Sequence, residues 1–342
     1  MIGALCCIAG MVLAQLPCMA PYSYFILSLA RQEHAVILLE SQGAQFLFEP
    51  FVPGLSPDGA PLRLGIRRAV AARLRSVEDP QILSCLRELI WIRRLDLYGN
   101  PSAPTALRAC AGISTIEELD VRSTEIDGTE LQHIKDSKQL RVIYADDTRF
   151  SDFGMRHLGR FRRLETLCLE NTCVTDAGLT RIERLSRLDT LILGRTKLRG
   201  SGLAQVCRLP NLKNLDLSYT PLNDELPEIA RHLAQMEGLR RLTLRHSDIS
   251  DDGLREISKL VELEELDVSN TTIGTAGVAF ISKCRRLHTL NLSGTRVKDE
   301  SVDALCSIKS MLHLGLYRTD LSTRAIADLR VVLGSALEAP AR

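Results

Sequence analysis

One short pattern of residues recurs along most of this chain at a nearly constant spacing. Successive copies begin 24 residues apart, except for one longer step between Leu212 and Leu239. The ninth position of the copy is threonine in eight of the ten copies, the exceptions being Asn100 and Ser247. A fixed period of this length is the signature of a protein that stacks one structural unit many times. The copies begin at Ile92, Ile116, Leu140, Leu164, Leu188, Leu212, Leu239, Leu263, Leu287 and Met311.

A single copy, residues 164–187, reads LETLCLENTCVTDAGLTRIERLSR and predicts a short strand followed by a helix. Leu167 and Leu169 are two residues apart, the spacing at which strand side chains point the same way. Thr172 ends the strand, and a column of such residues could form a hydrogen-bonded ladder between copies. The side chain of Val174 is expected to point into the core. The copy therefore has one apolar side, which only a neighbouring copy can cover.

The second half of the copy predicts a helix. Thr175 or Asp176 is placed to cap its start, and Gly178 leaves room where the helix meets its neighbour or relaxes the turn. An apolar stripe at three-residue spacing follows, formed by Leu179, Ile182 and Leu185. A strand, a helix and another strand in sequence predict a parallel sheet.

The pattern LxxLxLxxT, followed by segments such as TCVTDAGL and SDISDDGL, resembles the leucine-rich repeats, and specifically the bacterial subtype with 24-residue repeats. The resemblance covers residues 66–337. It implies an α/β solenoid, with a curved parallel sheet on the concave face and helices on the convex face. It implies little about function.

The resemblance and the hydropathy together divide the chain into four parts. Residues 1–30 are a membrane anchor or signal segment, and residues 31–91 form an N-terminal cap that contains a degenerate repeat. Residues 92–337 hold ten repeats and a capping helix over Ala325–Leu337, and residues 338–342 are a tail. In the longer copy, which begins at Leu212, we expect the additional three residues to lengthen the helix.

The first thirty residues contain no charged side chain; the first is Arg31. An uncharged apolar run of this length is typical of a transmembrane helix, although Pro17 and Pro21 interrupt it. A cleaved signal peptide and a soluble apolar N-terminus are the alternatives. The missing basic flank also raises the hypothesis that translation begins upstream of Met1. An anchor followed by a helix, Gly43 and a strand over Ala44–Phe48 is similar to membrane-anchored repeat proteins of some bacteria.

The charge balance and the motifs exclude several classes of function. The chain has 43 basic and 42 acidic residues, so no overall field favours nucleic acid. We find no phosphate-binding loop, dinucleotide fingerprint or hydrolase motif, and the ten cysteines are scattered without a C-x-x-C pair. We therefore expect no enzymatic activity, no cofactor, no metal, no small-molecule substrate and no disulfide framework.

The residues expected to line the concave face are the fifth and seventh of each copy. In the middle of the array, Tyr144, Cys168 and Ile192 form an apolar strip beside Asp146 and Glu170, and an apolar centre with a polar rim is typical of protein contacts. A solvated face without a partner is the alternative. The candidate protein-binding residues are Asp96, Tyr98, Asp120, Arg122, Tyr144, Asp146, Glu170, Ile192, Asp216, Arg245 and Asp267.

The segment RLGIRRAVAARLR, residues 63–75, is a second candidate, because no acidic residue lies between Asp58 and Glu78. Near an anchor it could lie against anionic lipid headgroups; otherwise it is a cap helix with its arginines in water. The candidate membrane-surface residues are Arg63, Arg67, Arg68, Arg73 and Arg75.

The sequence thus favours a non-enzymatic scaffold, tethered to a membrane through residues 1–30, that binds another protein. If the N-terminal segment is cleaved, the protein is secreted or belongs to the cell envelope. A structural envelope protein without a discrete partner and a substrate-recruiting subunit of an enzyme complex are the alternatives.

Overall fold

The computed structural model describes residues 20–50, 67–222 and 226–339. These residues form two compact units. Unit 1 contains the described residues up to Ile126 together with 130–140, and unit 2 contains 127–129 together with the described residues from Arg141 onward.

Unit 1 is a helix and a four-stranded sheet with short helices between the strands. Helix α1 precedes strand β1, which pairs antiparallel with β2, and β2, β3 and β4 then pair in parallel. The elements are α1 (Ala20–Glu40), β1 (Gln45–Pro50), β2 (Arg67–Arg73), α2 (Pro80–Leu83), a 3-10 helix (Ser84–Glu88), β3 (Arg94–Asp96), α3 (Ala103–Ala109) and β4 (Glu118–Asp120).

The expectation of a cap helix over the arginine-rich segment is wrong, because residues 67–73 form strand β2. This strand gains hydrogen bonds on both sides: it pairs with β1 along one edge, and along the other Arg93 donates its N–H to the carbonyl of Val70. A helix would leave both neighbouring strands without these partners, and unpaired buried backbone groups cost free energy.

Unit 2 contains nine parallel strands, each of the first eight followed by helical structure. The strands are β5 (Val142–Tyr144), β6 (Thr166–Cys168), β7 (Thr190–Ile192), β8 (Asn214–Asp216), β9 (Arg241–Thr243), β10 (Glu265–Asp267), β11 (Thr289–Asn291), β12 (His313–Gly315) and β13 (Leu337–Glu338). The α-helices are α4 (Asp152–Leu158), α5 (Leu203–Val206), α6 (Leu226–Leu233), α7 (Asp251–Ile257), α8 (Thr275–Ile281), α9 (Val302–Cys306) and α10 (Thr323–Leu333). The 3-10 helices after β4 are Thr129–Gln132, which spans residues of both units, and Asp176–Arg184, Asp299–Ser301 and Gly334–Ala336 in unit 2.

The strands pair in the register that the period of the copies requires. Leu167 lies opposite Ile143 on one side and Leu191 on the other, and all three side chains are buried. In the longer copy the pairing of Leu215 with Leu242 is kept. The additional residues therefore lie between these strands, in the part of the copy that contains α6, and the sheet is unchanged.

The threonine column does not form the expected ladder between copies. The Thr172 hydroxyl donates to the carbonyl of Leu169, three residues earlier in its own copy, over 2.7 Å, and Thr196 bonds to Leu193 in the same way over 2.6 Å. Ser247, which replaces threonine, makes the equivalent bond to Leu244. Each buried hydroxyl is satisfied locally, so the column stabilises the turn after each strand rather than the contact between copies.

Neighbouring copies are instead joined at the helix starts. Thr175 caps its own helix, since its Oγ1 accepts from the N–H of Ala177 at 3.3 Å. The Asp176 carboxylate reaches into the next copy and accepts from the N–H groups of Arg199, Gly200 and Gly202 at 2.8–3.1 Å. The expected space at Gly178 is confirmed, since a Cβ there would lie 2.5 Å from Oδ1 of Asp152.

The C-terminal helix α10 ends at Leu333, four residues before the expected end at Leu337. Gly334 has φ +56° and breaks the helix, and Leu337 then begins strand β13, which pairs with β12. The last copy thus has a strand neighbour that covers the edge of β12, which an exposed parallel edge requires.

The N-terminal segment lies mostly outside the described residues, which begin at Ala20. Among the helices that the structure describes, none combines the length and the apolar character needed to cross a bilayer.

Candidate functional site

The candidate surface in unit 2 is the face of the sheet that points away from the helices. The middle residue of each strand is buried, as Leu167 is, while the residues on either side of it are directed to the other face. The first residue of each strand also belongs to this face. The candidates taken from the sequence occupied the fifth and seventh positions of each copy. The third position, where Arg241 and Glu265 form an ion pair of 2.9 Å, was not among them.

The structure brings together the three residues of the apolar strip. Tyr144 pairs with Cys168, and Cys168 pairs with Ile192, so the three side chains lie on adjacent strands. Cys168 is 9% exposed, and its two neighbours are partly exposed. The strip is therefore a continuous apolar path across β5, β6 and β7.

Carboxylates crowd one side of this strip. The N–H of Glu170 donates to Oδ1 of Asp146 over 2.8 Å. A Cβ at Gly194 would lie 3.6 Å from both Oδ1 of Asp216 and Cγ of Glu170, so the missing side chain leaves a gap between the two acids. Partial burial, together with the negative charges of Asp216 and Asp146, raises the pKa of Glu170 despite the opposing charge of Arg195.

An arginine–aromatic group, which sequence analysis missed, borders the acids. Arg195 forms an ion pair of 3.3 Å with Glu170, and its guanidinium lies 4.2 Å from the ring centre of Tyr219. The Tyr219 ring stacks on His246 with 4.3 Å between centres, and Arg245 lies 5.5 Å from the same tyrosine ring. Cation–π and stacking contacts hold these side chains in place on the surface.

Three of these residues occupy the eighth position of their copies, and that position has an unusual backbone. The residue before the threonine has a positive φ in all ten copies, at values from +53° to +70°. This left-handed conformation turns the chain at the end of each strand and directs the eighth side chain outward. The signal was present in the sequence, since glycine, asparagine or aspartate occupies this position in five copies: Gly99, Asp147, Asn171, Asn270 and Gly294.

Several aspartates that were candidates for binding also accept hydrogen bonds from backbone N–H groups. Oδ1 of Asp216 accepts from the N–H of Ser218, two residues later, and Asp267 accepts from Ser269 in the same way, each at 2.8 Å. Asn291 does the same for Ser293. Aspartate and asparagine side chains satisfy backbone donors in this manner where a strand ends.

Unit 1 places four other candidates together, around Tyr98. The guanidinium of Arg75 lies 4.9 Å from the ring centre of Tyr98, and that of Arg122 lies 5.5 Å from it. Asp96 accepts from Arg75 at 2.9 Å, and Asp120 forms an ion pair of 2.6 Å with Arg122. The side chains of Arg75, Asp96, Asp120 and Arg122 border a groove of about 430 Å³ on the sheet face of unit 1.

The basic candidates differ in their surroundings. Arg63 lies outside the described residues, and Arg67 is the first residue of β2. Arg68 forms an ion pair of 3.1 Å with Glu49, and Arg73 one of 3.0 Å with Asp96. Acidic partners thus neutralise part of the charge that made this segment a candidate.

The described cysteines and histidines provide no metal centre. Within residues 20–50, 67–222 and 226–339, no group of three His, Cys, Asp or Glu side chains could hold an ion. All seven described cysteines are free thiols; Cys110 and Cys284 are buried, and Cys173 is exposed. Cys6, Cys7 and Cys18 lie outside the described residues.

Comparisons with known proteins agree with this architecture. Family descriptions of leucine-rich repeats match residues 211–233 and 239–258, 263–282 and 283–306. An internalin from Listeria monocytogenes has a similar structure, with a TM-score of 0.57, 17% identity and coverage of 75% of each chain. A leucine-rich-repeat protein of Leptospira interrogans gives a TM-score of 0.47 at 16% identity, covering 75% of this chain and 80% of that one. The comparison with curated proteins found no match.

The chain therefore contains leucine-rich repeats and has the α/β fold of a leucine-rich-repeat solenoid. Proteins with this fold are commonly scaffolds for protein–protein interaction, typically without catalytic activity.

Proposed function

We propose that this protein is a non-enzymatic interaction module that binds another protein on the exposed sheet face of unit 2. The observation that carries the proposal is the continuous apolar strip formed by Tyr144, Cys168 and Ile192, with Glu170 and Asp146 at its side. An apolar centre with a polar rim is the usual arrangement of a protein contact.

The arginine–aromatic group extends this surface toward later copies. Tyrosine and arginine contribute disproportionately to binding energy because they combine a large contact area with directional polar groups. Tyr219 is already held between Arg195 and His246, so little side-chain entropy remains to be lost when a partner binds.

The test is capture of a partner from cells that express the protein, with the full chain as bait. We expect one saturable partner for the natural chain and at least a tenfold loss of affinity for Tyr144→Asp combined with Ile192→Asp, since two charges would enter the centre of the contact. The matched control is Val261→Asp combined with Leu312→Asp, because both side chains are apolar and more than 60% exposed in other copies.

Capture that is equal for the two double variants would reject the sheet face of unit 2 as the binding site. A chain that is abundant in the envelope and has no saturable partner would favour the structural role. Thermal unfolding of each variant, monitored by circular dichroism, checks that the stack remains folded.

We also propose that the repeats belong to the bacterial 24-residue subtype and that residues 1–30 attach the chain to a membrane. The absence of charge before Arg31 and the regular period of the copies support these points. Contact of Arg63, Arg67, Arg68, Arg73 and Arg75 with lipid headgroups remains a proposal as well. Release of the protein from membranes by alkaline carbonate would contradict an uncleaved anchor, and N-terminal sequencing of the mature protein identifies cleavage.

A further inference from the structure

One part of unit 2 carries a large excess of positive charge, although the chain as a whole is nearly neutral. Residues 156–213 contain twelve arginine and lysine residues and five acidic ones, a net charge of +7, whereas the whole chain has +1. Seven exposed arginines of this segment lie in the helical parts of their copies and in the loops that lead back to the strands. We call them the helix-side ridge: Arg156, Arg160, Arg162, Arg163, Arg181, Arg184 and Arg187.

The stacking of copies aligns these arginines. Arg160 and Arg184 are one period apart and occupy equivalent positions, as do Arg163 and Arg187. Helix α4 packs against the 3-10 helix Asp176–Arg184. The side chain of Arg184 extends toward the preceding copy, since a Cβ at Gly159 would lie 3.3 Å from its Cδ. The guanidinium groups therefore form one continuous basic surface that extends over two copies.

Much of this charge is not neutralised within the protein. Arg160, Arg184 and Arg187 form no ion pair with any residue in the part of the chain that the structure describes. Burial lowers the pKa of His157, and the positive charges of Arg160 and Arg156 lower it further. The two arginines therefore act on the same side chain.

An exposed aromatic side chain lies beside the ridge. Phe153 is 61% exposed, and the guanidinium of Arg156 lies 4.9 Å from its ring centre. Phe153, Arg156 and Arg160 follow each other at three- and four-residue spacing, which places them on one side of the chain around α4. An apolar ring next to unpaired guanidinium groups matches the boundary between lipid headgroups and acyl chains.

We propose that the helix-side ridge binds the surface of a bilayer that contains anionic phospholipids. Guanidinium groups bind phosphate oxygens with two hydrogen bonds, and the Phe153 ring would enter the acyl boundary between them. A planar lipid surface fits better than a long nucleic acid, because a nucleic acid would continue past the ridge onto the rest of the chain, whose net charge is −6.

This inference does not depend on the proposed partner or on residues 1–30. The ridge lies in the helical segments of unit 2, whereas the apolar strip lies on the exposed face of its sheet. A bilayer bound at the ridge would therefore leave the sheet face accessible. The inference concerns arginines other than those of residues 63–75.

The test measures sedimentation of the full chain with vesicles. One vesicle preparation contains only phosphatidylcholine, and the other contains about 30% phosphatidylserine. Binding to each preparation is measured at about 0.05 M and at about 0.3 M salt. The variant is Arg160→Gln, Arg184→Gln and Arg187→Gln combined. The matched control removes the same charge from exposed arginines of later copies, namely Arg285→Gln, Arg296→Gln and Arg324→Gln.

We expect salt-sensitive binding to the anionic vesicles beyond that to phosphatidylcholine. Each arginine near the surface contributes roughly a fivefold gain in partitioning, so the ridge variant should lose at least tenfold and the control much less. Phe153→Ala should weaken vesicle binding about threefold without changing its salt dependence.

Three results would overturn the proposal. The first is equal binding of the natural chain to both vesicle types. The second is an equal loss of vesicle binding in the ridge variant and the control variant. The third is tighter binding to a short DNA duplex than to anionic vesicles, together with no effect of Phe153→Ala on vesicle binding. Circular dichroism of each variant confirms that it is folded before binding is measured.

Discussion

The recurring geometry of each copy depends on two adjacent residues with different tasks. At the eighth position the backbone adopts a positive φ, and at the ninth a threonine or serine hydroxyl bonds to a carbonyl three residues earlier. The turn therefore does not need glycine, although an L residue such as Arg195 or Tyr219 is strained there. The strained residues direct their side chains outward, so the local turn helps to place the arginine–aromatic group.

A prediction at this scale concerns Glu170, whose pKa is raised by partial burial and by neighbouring carboxylates. Because folding raises this pKa, the negative charge costs stability at neutral pH, and the cost disappears as pH falls through the raised value. We expect Glu170→Gln to increase the urea midpoint at about pH 7 by a small amount, since the side chain is 46% exposed and solvent screens it.

At about pH 3 the natural chain and the variant should have nearly the same midpoint, because the natural glutamate is then largely protonated in both the folded and unfolded states. A variant that is less stable than the natural chain at neutral pH would show that the Arg195 ion pair outweighs the repulsion.

At the scale of secondary structure elements, an aspartate at the start of one helix joins it to the start of the next helix. Asp152 accepts from the N–H and hydroxyl of Thr175 in the following copy, at 2.8 and 2.7 Å. Gly178 provides the space for this carboxylate. The sequence predicted a cap at Thr175 or Asp176, and at Gly178 either space for the neighbouring helix or a relaxed turn. The bond from aspartate to the next copy was not predictable from one copy, because it depends on how closely two helices pack.

The corresponding prediction is that Gly178→Ala destabilises the protein by about 2 kcal/mol, since the added methyl group would displace Asp152 in a packed contact. Gly238→Ala is the control, because a Cβ there would meet nothing within 4 Å. Chemical denaturation measures both variants. Equal unfolding free energies for the two would show that the helix starts have room to move apart.

At the scale of the whole molecule, a neutral net charge conceals an uneven distribution. The chain has +1 overall, yet residues 156–213 have +7. The balanced composition predicted that the chain has no overall electrostatic field, which argued against nucleic acid as a partner. Stacking changes this conclusion for unit 2, because arginines one period apart in sequence become neighbours on one side of the stack.

A prediction at this scale uses the reactivity of the thiols to test whether the core is closed to solvent. Burial raises the pKa of Cys110 to about 12 and that of Cys284 to about 11, so neither thiol forms a reactive thiolate near neutral pH. With a thiol-specific reagent at about pH 8, we expect the exposed Cys173 to react in the folded protein. We expect the buried Cys110 and Cys284 to react only after unfolding. Peptide mapping assigns the labelled residues. Rapid labelling of Cys110 in the native chain would contradict a closed core in unit 1.

The sequence by itself determined the repeat, the buried leucines and the register of the strands, because a fixed period forces each copy to lie beside a similar one. It also determined which side chains alternate between the core and the opposite face of the sheet, and so identified Tyr144, Cys168 and Ile192 as neighbours.

Only the tertiary structure decided what depends on contacts between copies and between distant segments. It made residues 67–73 a strand, because β1 and β3 supply partners for both of its edges. It ended α10 at Gly334 and used Leu337 to cover the edge of β12. It also joined Arg195, Tyr219 and His246, since a left-handed turn in each copy, invisible to a hydropathy pattern, sets the direction of these side chains.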